Sequence, residues 1–275
     1  MRLMLLLATS TLLMAQEPMA LVDAPQSQPG QWSVVLGARV LNYSSYAGSD
    51  RTRTVVAPVF GAEYDNRYYI GSSRVGVGFG GGVHLFRNKE WTFDLGLGVG
   101  DGRPEARAPQ LAGMGDRKAT LFAGTGLQWH QGGTRVGLTL AHGLKDEAGN
   151  RGTLVLSQSW PLAQNWRFTL GLHGAWADAK AMTYDFGVSA EQDKVRSALV
   201  AAGDTRLGPS DLGVYAPGAG LRDFGGVMSI GFRPAPRWNW NLSLYGGQLQ
   251  GDAQNSPLVR KASYLSMGTG ITYRF

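Results

Sequence analysis

Acid–base or metal chemistry in this sequence would have to come from Glu63, Asp94 and four histidines, His84, His130, His142 and His173. The histidines fall on separate segments without metal-ligand spacing, so each reads as an interior or rim residue rather than a ligand. Gly76-Val77-Gly78-Phe79-Gly80-Gly81 satisfies G-x-G-x-x-G. That fingerprint needs a strand before it, a helix after it and an acidic residue about 20 positions on. Here the glycines fall inside a strand pattern and no helix follows, so the nucleotide reading fails. There is no G-x-S-x-G elbow and no Ser/His/Asp grouping that the sequence itself assembles. The expectation is no enzyme, no cofactor and no metal. What remains is charge. Glu63 and Asp94 keep company with Arg39, Arg74, Arg135, Arg167, Arg233 and Arg274 on the polar faces of alternating segments. Interior charges need partners, so an ion-pair network is the simplest reading and an arginine-lined, anion-preferring channel the sharper one.

The elements that must position these charges are strands. Among 275 residues there are 40 Gly and no Cys. That is about twice the usual ~7% Gly, and interior Gly costs a helix roughly 1 kcal/mol against Ala. No apolar run approaches the ~20 residues of a membrane helix, and mean hydropathy is −0.14. From Trp166 to Trp176, Phe168, Leu170, Leu172 and Gly174 share one face with the tryptophans. Arg167, Thr169, Gly171, His173 and Ala175 take the other, the period of two of a strand. The pattern recurs at 91–100, 135–141, 224–233, 238–245 and 265–275, and less regularly at Trp32–Tyr43, Thr54–Tyr64, Val75–Phe86, Ala119–His130 and Thr153–Leu162.

A soluble sandwich would bury the apolar faces; a transmembrane barrel turns them to lipid. Trp and Tyr at strand ends suit interfacial girdles. Ten residues at ~3.3 Å, tilted ~40°, climb roughly 25 Å, the height of an outer-membrane apolar band. The Gly-rich polar faces could not make a dry core. The reading is an all-β, antiparallel transmembrane barrel.

Eleven segments plus a short crossing at Tyr68–Ser73 make twelve strands; ten is the count if an early segment does not cross, since such barrels are even-numbered. Short turns near Asp65–Arg67, Arg87–Glu90, Gln131–Gly133, Ala163–Asn165 and Pro234–Arg237 belong to the periplasm, and longer connections to the outside. In the longest, Asp178–Gly220, Ser189 and Gln192 form a capping box. Val195, Ala198, Leu199 and Ala202 then recur at helical spacing, giving a helix over Ala190–Ala202 that acts as a lid or plug, or lies on the rim. Residues 1–15 read as a secretory signal, 16–31 as an extended, mobile, proline-containing periplasmic tail, and 32–275 as the barrel. The net charge of +6 suits anionic lipid or glycan and does not point to nucleic acid.

Tyr46-Ala47-Gly48-Ser49, Asp116-Arg117-Lys118, Tyr184–Ser189, Ser256-Pro257-Leu258-Val259 and the end Tyr264–Phe275 resemble the MipA/OmpV family, founded on the MltA-interacting protein, over essentially the whole mature chain. The resemblance implies a non-enzymatic bacterial outer-membrane barrel. It also implies a scaffold that brings a lytic transglycosylase together with a murein synthase, other members being linked to adhesion or envelope stress. Tyr273 and Phe275 look like the insertion signal read by the outer-membrane assembly machinery.

Overall fold

The computed structural model describes residues 26–72, 74–75, 77–204 and 213–275. The signal reading of residues 1–15 and the tail up to residue 25 lie outside them. Twelve strands are present: β1 (Trp32–Ser44), β2 (Thr52–Tyr64), β3 (Tyr68–Ser72), β4 (Phe79–Arg87), β5 (Trp91–Gly100), β6 (Thr120–Gln131), β7 (Thr134–Gly143), β8 (Asn150–Ala163), β9 (Trp166–Ala177), β10 (Gly220–Ala235), β11 (Trp238–Leu249) and β12 (Ser263–Arg274). Each pairs antiparallel with the next, and β12 returns to β1 with Val35 opposite Arg274, so the sheet closes on itself. Closure removes the edges that hydrocarbon cannot solvate.

The alternation sorts side chains as a lipid-facing wall requires. On β9, Leu170 and Leu172 are half exposed on the outside, while Thr169 and His173 are buried within. Leu95, Leu97, Leu140, Leu156 and Met267 continue the outer apolar belt. Inside, glycine makes room for larger neighbours: a Cβ at Gly225 would lie 2.6 Å from the His173 ring. Aromatic pairs gather at the ends that carry the short turns. Trp166 stacks on Phe232 with centroids 4.4 Å apart, Trp238 meets Tyr273 at 5.0 Å and Trp32 meets Tyr64 at 4.8 Å. Amphipathic rings sit there because the headgroup layer accepts both their faces and their polar tips.

Two departures from strict alternation matter for the interior. Register shifts between His84 and Phe86 and between Leu221 and Asp223 are bulges, which re-aim side chains locally. The first leaves Leu85 and Phe86 both exposed outside while His84 stays buried inside. The second sets Arg222 beside inward Asp223, with Nε 2.6 Å from its carboxylate.

The short crossing is real as β3, but the strand expected over Val75–Phe86 begins only at Phe79. Arg74 and Val75 turn inward instead. A Cβ on Gly126 would be 2.5 Å from the Arg74 carbonyl, and one on Gly124 would be 3.1 Å from Val75. These two glycines of β6 leave the space that the turn fills. Asp65 and Asn66, both at positive φ, close the β2–β3 hairpin in the primed geometry that such turns favour.

Among the described residues three α-helices lie in the long connections: α1 (Ala179–Phe186), α2 (Ala190–Ala201) and α3 (Gly251–Asn255). The capping box of α2 is formed by Ser189 and Gln192. Its buried residue is not one of the spaced apolar ones, however. Val195 is exposed and Arg196 is buried, because the helix sits on a loop whose open carbonyls need donors.

Candidate functional site: a capped, arginine-lined lumen

The long connections do not hang free; they interlock over the barrel mouth. The Tyr46 hydroxyl donates to the Leu258 carbonyl at 2.9 Å, and Ser256 Oγ donates to the Phe186 carbonyl at 2.6 Å. Backbone N–H groups of Arg260 and Lys261 both reach the Gly48 carbonyl. Tyr184 donates to the Lys118 carbonyl at 3.2 Å, with the Arg117 guanidinium over its ring. Arg196 donates to the carbonyls of Gln110 and Ala112, and Gln192 to that of Met114. Apolar packing fills the rest: Met182, Phe186, Leu249 and Ala253 form one cluster, and Met114, Val188 and Leu258 another.

Beneath this cap, Asp185 at the end of α1 takes Arg151 Nη1 at 2.8 Å, and Arg103 donates to the Asp185 carbonyl at 3.2 Å. Burial alone would raise the Asp185 carboxyl. Arg151, Arg222 and Arg117 outweigh it and hold the group below the usual carboxylate range. Burial, with Arg117 alongside, pushes Arg103 down to about 9. A carboxyl whose folded pKa is depressed stabilises the cap above the unfolded value of about 3.9 and stops doing so as pH falls through the folded value. Planar-bilayer recordings of the intact protein are therefore expected to be quiet at neutral pH, with openings appearing only in strong acid. Asp185→Asn should conduct at neutral pH. Steady conductance from the intact protein at neutral pH would contradict a closed cap.

Two side-chain networks occupy the lumen. Fully buried Glu63 accepts from Arg74 Nη2 at 3.0 Å, Arg87 Nη1 at 3.1 Å and the Ser27 backbone N–H at 2.9 Å. His84 joins Glu63 through Nε2 at 3.2 Å and Asp94 through Nδ1. The second network centres on His173 Nε2, which meets Asp223, Tyr245 and Tyr264 at 3.1, 2.5 and 3.0 Å.

Toward the short-turn end lies a cavity of about 750 Å³. Arg135, Arg167, Arg233 and Arg274 line it, with Gln164 and Asn165 of the β8–β9 turn and Gln26 of the tail. Thus the structure joins Glu63, Asp94 and Arg74 in one cluster and spreads the other arginines along the cavity. Arg39 enters from β1, its Cβ against Gly270. Sequence reasoning missed His84, Arg87, His173, Arg222 and Asp223 as members of charge networks. Two of them, His84 and Arg222, sit at bulges, where a break in alternation is the only local signal.

A closed barrel with an apolar outer belt, an arginine-rich interior and short turns at one end is an outer-membrane β-barrel protein, here with its long connections interlocked at the other end. Residues 36–275 match the family model described as MltA-interacting protein MipA, and the chain belongs to that family. Comparison with curated proteins finds no significant match. Similar solved structures include the NanC porin (10% identity, 86% of this chain and 98% of that one, TM-score 0.42). An outer membrane channel from Pseudomonas putida (9%, 92% and 98%, 0.43) and OmpT of Vibrio cholerae (6%, 91% and 100%, 0.39) are also similar. The segments that carry the family resemblance, around Tyr46, Arg117, Tyr184 and Ser256, are the ones that interlock in the cap.

Proposed function

We propose that this protein is a non-enzymatic outer-membrane scaffold that gathers murein-processing enzymes, a lytic transglycosylase and a murein synthase, at its periplasmic face. The observation that carries the reading is the closed cap. A barrel whose long connections pack and hydrogen-bond together over one mouth is built less for traffic than for presenting its other end. The family's description as MltA-interacting supports the choice of partner. Export by a signal over residues 1–15, and Tyr273 with Phe275 as the insertion signal, belong to the same reading. The two rings stand 4.8 Å apart, and Phe275 projects beyond the last strand.

The periplasmic face offers the short turns and the tail. The part of the tail nearest the barrel is pinned rather than mobile: Ser27 bonds Glu63 and Asn66, and Gly30 N–H donates to Asp65 at 2.7 Å. The Pro234–Arg237 turn is stiff because proline fixes φ. Deleting residues 17–25, or replacing Pro234–Arg237 with a flexible turn, should weaken capture of periplasmic murein enzymes from crosslinked cells without harming barrel assembly. Shortening α2 should leave capture intact. Loss of capture with α2, and none with tail or turn, would make an outward-facing adhesion or envelope-stress role the better account. The arginine-lined cavity favours a second reading, a small-solute, anion-leaning pore; it requires the cap to open, which the recordings above decide.

A further inference from the structure

The barrel wall is thin between β2 and β3. All 13 residues of β2 have ladder partners in β1, but on its other side only Ala62, Glu63 and Tyr64 pair with β3 among the described residues. Beyond Ser72 the chain turns inward at Arg74 and Val75. Gly71 still lies against β2, a Cβ there meeting the Phe60 carbonyl and the Gly61 Cα at 3.0 Å. At and above that level β2 faces β4 through the Phe60–Phe79 pair, ring centroids 6.5 Å apart, with no ladder between the two strands. Phe60 stands four residues from Tyr64, ~10 Å higher at the usual rise and tilt. The gap therefore lies inside the apolar belt. Backbone groups left unpaired at that depth are tolerated where they border a cavity rather than lipid.

The cavity reaches the gap. Its walls include Phe60 and Ile70, two side chains on the lipid face that are 40% and 45% exposed, together with the lumen arginines. None of its lining residues is Asp or Glu. Glu63 meets Arg74 and Arg87. Arg135 donates to Gln128 and lies within electrostatic reach of Asp94, while Arg167 and Arg274 make no ion pair among the described residues. One space thus joins apolar residues of the lipid face with a cluster of cations in which Arg167 and Arg274 make no ion pair among the described residues.

We propose that this cavity binds an anionic amphiphile, one alkyl chain bearing a carboxylate, sulfate or phosphate head, which enters from the bilayer through the β2–β3 gap. The chain lies against Phe60, Ile70 and Phe79. The head sits among Arg135, Arg167 and Arg274, whose planar guanidinium forks suit oxyanions. The volume is in the range of small-ligand pockets. The inference stands apart from the scaffold reading, since it concerns the lumen and not the periplasmic surface.

The test uses the full protein in neutral maltoside micelles and a nitroxide-labelled stearate, with electron paramagnetic resonance reporting the immobilised fraction. Saturable binding of one probe per barrel is expected. The methyl ester should bind roughly tenfold more weakly or worse, since it forfeits charge-assisted hydrogen bonds. The triple variant R135Q/R167Q/R274Q should lose affinity by a similar or larger factor, and Ile70→Trp should slow uptake by narrowing the gap. Heat-modifiable gel migration checks that each variant is folded, and the single Arg→Gln variants replace the triple one if it is not. Equal binding of acid and ester, or unchanged binding by the folded arginine variants, would overturn the proposal in favour of ordinary annular lipid. Displacement by inorganic sulfate at matched concentration would overturn it in favour of a plain anion cavity.

Discussion

Glu63→Ala is expected to cost the folded barrel about 3–5 kcal/mol, the range for breaking a buried ion pair by removing one partner. Glu63 is fully buried and is the shared acceptor of Arg74, Arg87, His84 and the Ser27 backbone. Its loss removes the carboxylate that two lumen guanidinium groups share and one of the ties between the tail and the β2–β3 hairpin. Glu63→Gln keeps the shape and the acceptor for Ser27 but not the charge, and should fall between wild type and alanine. Urea unfolding from lipid vesicles, followed by tryptophan fluorescence, measures both. A cost below about 1 kcal/mol for alanine would mean that water entering the lumen replaces the carboxylate, as it does for exposed pairs.

The second large effect separates the two faces of one strand. Leu170 is 50% exposed on the outside of β9 and Thr169 is buried on the inside. Arginine at Leu170 should cost ~2–4 kcal/mol, the midplane penalty for barrels. Arginine at Thr169 points into a polar lumen rather than into hydrocarbon and should cost clearly less. The same unfolding assay reads both, and equal damage at the two positions would refute the assigned facing.

The barrel was legible because a strand with lipid on one side and a polar lumen on the other writes its facing into every second residue. Leu170 and Thr169, Leu95 and Asp94, Met267 and Ser266 could be sorted without any knowledge of neighbours. Legibility failed where tertiary contacts overrode the period. The stretch around Val75 reads as strand by composition, yet turns inward because glycines 124 and 126 on β6 make a hollow there. No residue near Val75 announces that hollow. His84 stands at a break in the alternation, and its meeting with both Glu63 and Asp94 depends on that bulge and on the pairing of β2 through β5. Helix α2 was visible in its capping box, whereas its buried face was not. Spacing favoured Val195, but the surface below offered carbonyls, and Arg196 took the buried place. Helix α1 follows directly on β9, with Asp178 accepting the Ala181 N–H at 2.8 Å. Its buried side, Ala181, Met182 and Phe186, is too few residues in a stretch of eight to declare a helical period.

The cap also divides the molecule in a way that matters to anything approaching the cell from outside. A phage tail fibre or an antibody meets the outward side of α2, where Glu191, Lys194 and Ser197 are exposed. Tyr46, Phe186, Val188, Ser256 and Leu258 are shielded beneath. Changes at Glu191, Lys194 or Ser197 would therefore alter what such a binder meets, while the residues that hold the connections together lie out of its reach. One surface is left to camouflage and the other to architecture.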